Sequence, residues 1–163
     1  MDEPLYYYSL ESPVGFLNLS TDEEKLHSVS FSSSPGVNSN VLPEVLKESI
    51  AQLEEYFNGS RTEFDMKLNR SGTSFQQKVW DYIQNIPFGE TATYNEVAKG
   101  LGSKKLSRAV GYANSQNQIP IIIPCHRIIG TDGKLTGYAG GIERKKWLLL
   151  HELKYATSKN RLF

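Results

Sequence analysis

The stretch Ile119-Pro120-Ile121-Ile122-Ile123-Pro124-Cys125-His126-Arg127 places a thiol, an imidazole and a guanidinium side by side at the end of an apolar, proline-bracketed run. Cys125 is the one cysteine among 163 residues, so no intramolecular disulfide can form and the question becomes what a lone thiol does. A thiol of ordinary pKa, about 8.5, is only about 3 % thiolate at pH 7. A cationic or hydrogen-bonding neighbour that brings the pKa below about 6 raises the supply of nucleophile about thirtyfold. Intrinsic nucleophilicity falls with basicity, at a Brønsted slope of about 0.4 to 0.5, so part of that gain is returned. Neighbours in sequence need not point at one spot, however, and a lone cysteine is by base rate a small buried hydrophobe. These three residues alone therefore leave a thiolate nucleophile and an apolar filler both open. Cys125, His27, His126 and His151 show none of the paired spacings of a metal site, and residues 1–70 hold no cysteine and only His27, so no metal is expected.

The elements that must position this segment are announced by local chemistry. Thr73 with Gln76 and Thr93 with Glu96 each set a hydroxyl three residues before an acceptor side chain, the pattern of a capping box at a helix start. Three short helices are predicted, over about 75–86, 94–99 and 106–115, with Phe75, Val79, Tyr82 and Ile86 on one face of the first. Gly100 and Gly102 separate the last two. Ser103, Lys104, Lys105, Ser107 and Arg108 lead into the third helix, which outlines a helix-turn-helix. Thr131-Asp132-Gly133-Lys134 carries a hairpin-turn signal that predicts a wing, and a last amphipathic helix is predicted over about 143–153.

The first seventy residues read differently. Short β-favouring runs at 5–10, 15–20 and 28–31 predict a small antiparallel sheet, helical spacing over 43–58 predicts a helix that Pro43 opens and Gly59 closes, and alternation over 63–68 predicts another strand. Asn69-Arg70-Ser71-Gly72 is turn chemistry at an expected domain boundary. The formal net charge of zero divides there: residues 1–70 hold 5 Lys or Arg against 12 Asp or Glu, a net of −7, and the remainder holds 13 against 6, a net of +7. That polarity favours a polyanionic partner for the second half, because neutralising phosphates releases counterions; a solvated surface of uneven sign is the other reading. No stretch approaches the roughly 20 apolar residues of a membrane span, and Met1-Asp2-Glu3-Pro4 has no signal-peptide character, so an intracellular, soluble protein is expected.

Taken together, Pro124-Cys125-His126-Arg127, Arg108-Ala109-Val110-Gly111, Thr93-Tyr94 and Gly137-Tyr138-Ala139-Gly140-Gly141 resemble the O6-alkylguanine-DNA alkyltransferase family over most of the chain from about residue 70. Residues 1–70 resemble it more loosely, through Ser12-Pro13-Val14-Gly15 and Tyr56-Phe57-Asn58-Gly59. The resemblance implies an α+β protein: an N-terminal ribonuclease H-like α/β domain, residues 1–70, then a C-terminal helical domain with a winged helix-turn-helix, residues 71–163. It implies DNA repair by irreversible, single-turnover transfer of an alkyl group from O6-alkylguanine to Cys125 after base flipping, with O4-alkylthymine a further candidate substrate. The implied partner is double-stranded DNA carrying the lesion, met by a cytoplasmic monomer that needs no cofactor and no membrane.

Roles carry over by similarity. Cys125 is the nucleophile, His126 its water-mediated base, Glu152 the carboxylate that orients the histidine, and Tyr94 a donor to guanine N3. Asn117 is the hinge between recognition helix and active-site segment. Arg108 fills the stack vacated by the flipped base, with Ala109, Gly111, Ala113, Thr93 and Ser103 at the DNA surface. Ile128, Tyr138, Ala139 and Gly140 line the substrate pocket, and the backbone carbonyls of Cys125 and Ile128 read the guanine amino group. Two positions depart from the family pattern: Gln118 stands where many relatives have proline, and Ala139 where some have serine. A lesion-recognising relative that transfers nothing carries tryptophan at the nucleophile position, where this chain has Cys125. A winged-helix regulator would bind DNA regardless of damage, and a thiol hydrolase would turn over small esters or amides and leave the helix-turn-helix without a purpose.

Overall fold

Residues 4–160 are described by a computed structural model, which clusters into two compact units, Met1–Arg70 and Ser71–Phe163. In the first, β1 (Tyr6–Ser12), β2 (Gly15–Thr21) and β3 (Leu26–Ser32) form an antiparallel sheet in the order β1-β2-β3, with Leu10 opposite Leu17 and Leu19 opposite Val29. Those apolar residues face α1 (Glu44–Asn58), whose Val45, Leu46, Leu53 and Tyr56 complete a buried core. Pro43 stands just before the first turn, and Gly59 ends the helix in the left-handed region (φ 88°), a conformation open to glycine because it lacks a Cβ.

Residues 63–68 do not form the predicted strand. Their exposure alternates, as the sequence suggested, but the segment makes only an isolated parallel bridge, Leu26 with Leu68. A helix side chain takes the place of a ladder there: Gln52 accepts from Asp65 N at 2.9 Å and donates back to Asp65 Oδ1 at 3.1 Å. Period-two exposure marks an extended chain, and pairing needs a neighbouring strand in register.

The second unit is helical. α2 (Ser74–Gln84) begins with a complete capping box between Thr73 and Gln76, α3 (Tyr94–Gly100) is capped by Thr93 alone, and α4 (Ser107–Ser115) follows a short 3-10 turn at Lys104–Leu106. α4 packs on both α2 and α3. Trp80 of α2 donates its indole N–H to the Ala113 carbonyl at 2.9 Å, and Ser107 Oγ donates to Asn95 Oδ1 at 2.6 Å, so the helix-turn-helix is braced at both ends of α4. β4 (Ala92–Thr93) pairs in parallel with β5 (Ile128–Ile129), which ties the residues after the cysteine to the start of α3. The Asp132-Gly133 turn forms, closed by Gly130 N donating to Lys134 O at 2.9 Å, but no β-ladder extends from it. The last helix, α5 (Ile142–Asn160), runs well past the predicted end. Among the described residues no helix is long and apolar enough to cross a membrane.

Candidate active site and nucleic-acid interface

Residues 119–128 are all buried, and Cys125 opens a one-turn 3-10 helix, Cys125–Arg127. The run is held in an irregular path by Asn117, which donates from Nδ2 to the Ile123 carbonyl at 2.8 Å and accepts from Ile119 N at 2.9 Å. Ile121 sits at φ +76°, a region that a β-branched residue rarely enters, so the segment leading to the thiol carries local backbone strain. Cys125 itself is 5 % exposed. Burial pushes its thiol up to about 11, against smaller opposing influences from the Asn117 side chain, the Lys145 charge and the backbone N–H of His126. Loss of hydration thus outweighs every neighbour that favours the anion.

The imidazole beside it is oriented away from chance. His126 is fully buried, and its Nε2–H donates to Glu152 Oε2 at 2.6 Å. Burial holds His126 below its ordinary 6.5, which the Glu152 charge only partly offsets, so the ring is neutral at pH 7. With the proton on Nε2, the lone pair lies on Nδ1, which is buried and has no hydrogen-bond partner among the described residues. Glu152 also takes Arg127: Nε donates to Oε1 at 2.8 Å and an η-nitrogen to Oε2 at 3.1 Å, while the other η-nitrogen donates to the Ile86 carbonyl at 2.6 Å. Burial by itself would raise the Glu152 carboxyl, but the charges and hydrogen bonds of His126 and Arg127 more than offset it and hold the group well below the usual carboxylate range. The guanidinium therefore serves the carboxylate, although Arg127 stands two residues from Cys125 in sequence.

Tyr94, the first residue of α3, points its phenol among the Thr136 and Asn114 side chains. Burial raises its pKa, which keeps the hydroxyl a donor at neutral pH. Gly137 (φ +62°) lies so close that a Cβ there would stand 3.5 Å from the Tyr94 oxygen. Of the residues expected to line the substrate pocket, Tyr138 and Gly140 are buried and Ala139 is exposed; the Tyr138 phenol is raised well above 10 by burial and by the neighbouring Cys125. Ile128 is buried. The Cys125 carbonyl, expected to read a guanine amino group, already accepts from Ile128 N and, at 3.3 Å, from Asn114 Nδ2, which occupies both of its lone pairs.

Away from the thiol, α4 turns Arg108 and Ala109 to solvent, Gly111 is half-buried, and Arg108 makes no hydrogen bond or ion pair among the described residues. Ala113 does not belong with them. It is fully buried and its carbonyl holds Trp80, so helical periodicity carries it to the inner face and away from any groove. Thr93 and Ser103 spend their oxygens as caps, accepting from Glu96 N at 3.1 Å and Lys105 N at 3.2 Å.

Several residues escaped the sequence reading. Tyr112 is 64 % exposed one helical turn beyond Arg108, on the same face. Asn114 reaches the active-site carbonyl, and Lys145 is buried on the same face of α5 as Leu148 and Glu152. Spacing at i, i+3 and i+7 was the available signal for Lys145, and i+4 from Arg108 the signal for Tyr112.

A helix-turn-helix unit whose lone cysteine is nearly buried beside a carboxylate-held, neutral imidazole defines a DNA-directed protein with a thiol as its chemical group. Residues 74–154 match the family model described as 6-O-methylguanine DNA methyltransferase, DNA binding domain, and residues 5–69 match the ribonuclease-like domain of the same protein. A relative from Methanosarcina acetivorans, named methylated-DNA--protein-cysteine methyltransferase, is 48% identical over 152 residues, covering 89% of this chain and 96% of its own. A relative of the same name from Mycobacterium bovis is 42% identical over 163 residues, covering 98% and 99%. The crystal structure of Mycobacterium tuberculosis O6-methylguanine methyltransferase superposes with a TM-score of 0.83 at 42% identity over 93% of this chain and 94% of that one. The M. tuberculosis protein in complex with DNA superposes at 0.81 over 91% and 93%. The chain belongs to the 6-O-methylguanine DNA methyltransferase family.

Proposed function

We propose that the chain repairs alkylated DNA by taking an alkyl group, methyl above all, from O6 of a flipped guanine in duplex DNA onto Cys125. The sulfur forms a bond to the alkyl carbon as the carbon–O6 bond breaks, and the electron pair leaves with the guanine ring. The thiol proton passes through a water to His126 Nδ1 and finishes on the departing guanine, so protons and electrons balance. The observation that carries this reading is the buried His126 Nδ1, a lone pair with no hydrogen-bond partner among the described residues, on the residue that follows the chain's one thiol and on a ring whose other nitrogen is committed to Glu152. In the unliganded protein the thiol is pushed up to about 11 and the imidazole is held below its ordinary 6.5, so passing the proton from one to the other is uphill. The thiol is thus protected at rest, and ionisation is coupled to departure of the base.

The remaining roles are those the family resemblance implies, and the placement of these residues supports them. Tyr94 donates to guanine N3 as negative charge develops there. Asn117 fixes the segment that carries Cys125, and Tyr138, Ala139 and Gly140 close over the base. Arg108, exposed at the start of α4, fills the stack, with Ala109, Gly111, Thr93 and Ser103 along the groove. A thioether is inert and no second cysteine can resolve it, so each molecule acts once, as a monomer, wherever it meets chromosomal DNA. Incubation with an O6-methylguanine duplex should add one methyl mass, mapped to Cys125 and absent from Cys125→Ser; an unmodified mass with demonstrably bound DNA refutes the proposal.

A further inference from the structure

Lys145 is the one lysine of the described chain with no exposed surface at all, and the mechanism above does not use it. It sits near the start of α5, where its backbone N–H donates to the Gly141 carbonyl. Its ammonium carries three protons, and the described residues offer it one acceptor, the Thr136 carbonyl at 2.8 Å. Among the described residues no carboxylate lies within ion-pair distance; Glu152, on the same face of the helix, is taken by His126 and Arg127. A buried ammonium held by one neutral oxygen is costly to desolvate, and a methionine would fill the same space without that cost. Its charge nevertheless bears on the reaction centre, because Lys145 interacts electrostatically with both Cys125 and His126.

We infer that Lys145 is the counter-charge of the Cys125 sulfur: a buried cation, clamped on the Thr136 carbonyl, that acquires its ion-pair partner when the thiol gives up its proton. The position of the clamp matters as much as the charge. Thr136 also reaches the Tyr94 phenol with its side chain, so one residue of the loop links the cation at Cys125 to the donor expected to face the leaving base. The groups facing Cys125 are Lys145 from α5, Tyr94 from α3, Tyr138 from the loop between β5 and α5, and the adjacent His126; those facing His126 are Glu152, Arg127 and Lys145. Of these, Arg127 is committed to Glu152 and the two tyrosines are neutral, which leaves Lys145 as the cation available to the developing anion. In the resting state the sulfur is protonated and the ammonium is under-compensated, and burial lowers the Lys145 pKa accordingly. Ionisation of the thiol turns an unfavourable buried charge into an ion pair, so the cation favours the state that attacks over the state that waits. His126 remains the proton acceptor, and Lys145 transfers nothing.

The test compares wild type, Lys145→Met and Lys145→Arg. Rates of Cys125 alkylation by iodoacetamide without DNA are measured over pH 7 to 9, single-turnover methyl transfer from an O6-methylguanine duplex is timed over pH 6 to 9, and affinity for that duplex is measured separately. Removing a unit charge near a buried sulfur lowers thiolate population about tenfold to hundredfold. Lys145→Met should therefore slow iodoacetamide alkylation about three- to tenfold at pH 7 to 9, because higher basicity returns part of the loss, and slow methyl transfer by a similar factor across pH 6 to 9. Lys145→Arg should recover part of both, with duplex affinity within about twofold throughout. An unchanged alkylation rate at pH 7 to 9 in folded Lys145→Met overturns the role. The role rests on Cys125 being the acceptor, whereas the iodoacetamide arm does not, so transfer absent from wild type would defeat the proposed function and leave this arm readable. Should Lys145→Met not fold, Lys145→Gln is read in the same way: slower alkylation at pH 7 to 9 supports the pairing, and an unchanged rate overturns it.

Discussion

Replacing Glu152 by glutamine keeps the shape of the side chain and removes its charge. In the native protein one carboxylate, 1 % exposed, receives His126 Nε2 at 2.6 Å and two Arg127 nitrogens at 2.8 and 3.1 Å. A glutamine presents one acceptor oxygen and an NH2, so at least one of these donors must face another donor. Arg127 is left as a buried cation without a counter-charge. Breaking a buried ion pair by removing one partner costs about 3–5 kcal/mol, and a domain the size of the second unit loses about 4–8 °C of Tm per kcal/mol. Glu152→Gln should therefore lower the unfolding midpoint of that unit by at least about 12 °C. The free histidine then loses its fixed tautomer and part of its basicity, which should slow methyl transfer about a hundredfold below the melting range. Calorimetry and timed intact-mass measurement on an O6-methylguanine duplex read the two effects together. A variant within 2 °C and twofold of wild type would mean that the cluster of donors on Glu152 contributes neither stability nor orientation, and the account of the site would fall with it.

At pH 8, iodoacetamide should modify Cys125 about tenfold more slowly than a small free thiol even before steric shielding: a shift from 9 to about 11 cuts thiolate about a hundredfold, and the higher basicity returns about tenfold. Equal rates would show a pre-ionised sulfur. Urea unfolding should show stability falling as pH drops below 6.5, where the unfolded chain protonates His126 first, and falling again below 4.5 as Glu152 follows; above pH 9 it should fall once more, because the unfolded thiol ionises before the folded one. A flat profile from pH 7 to 5 would contradict the buried neutral imidazole. Trp80→Phe removes the bond to the Ala113 carbonyl and should cost about 1–3 kcal/mol in chemical denaturation without altering Cys125 reactivity. Arg108→Ala should weaken binding to the damaged duplex and flatten its salt dependence, while Ala113→Ser should act through stability alone; an affinity loss for Ala113→Ser in a fully folded protein would return that residue to the interface.

Much of the second unit was legible from local chemistry. Thr73 and Gln76 cap α2 as their spacing indicates, Tyr94 begins α3, and Gly59 closes α1, because caps and left-handed turns depend on residues within one helical turn of each other. Residues 63–68 and the Asp132-Gly133 turn show where that logic stops. Both have the local conformation their patterns suggest, yet neither acquires a ladder, since a strand exists only with a partner supplied from elsewhere in the chain. Ala113 was misplaced for a related reason: as a small residue in a motif it looked like Ala109, and only the packing of α4 on α2 and α3 separates the two.

The sequence by itself determined which atom can be the nucleophile, since it holds one sulfur nucleophile next to one imidazole, and its ordered motifs placed the chain in its family. Tertiary structure decided the charge states. Whether Cys125 rests as thiol or thiolate, whether Arg127 serves the sulfur or Glu152, and whether Lys145 meets water or the site all depend on which side chains are stripped of water and which partners arrive from 20 or more residues away. Desolvation and long-range pairing are properties of the packed interior, and they are as large as the local effects that order along the chain can express.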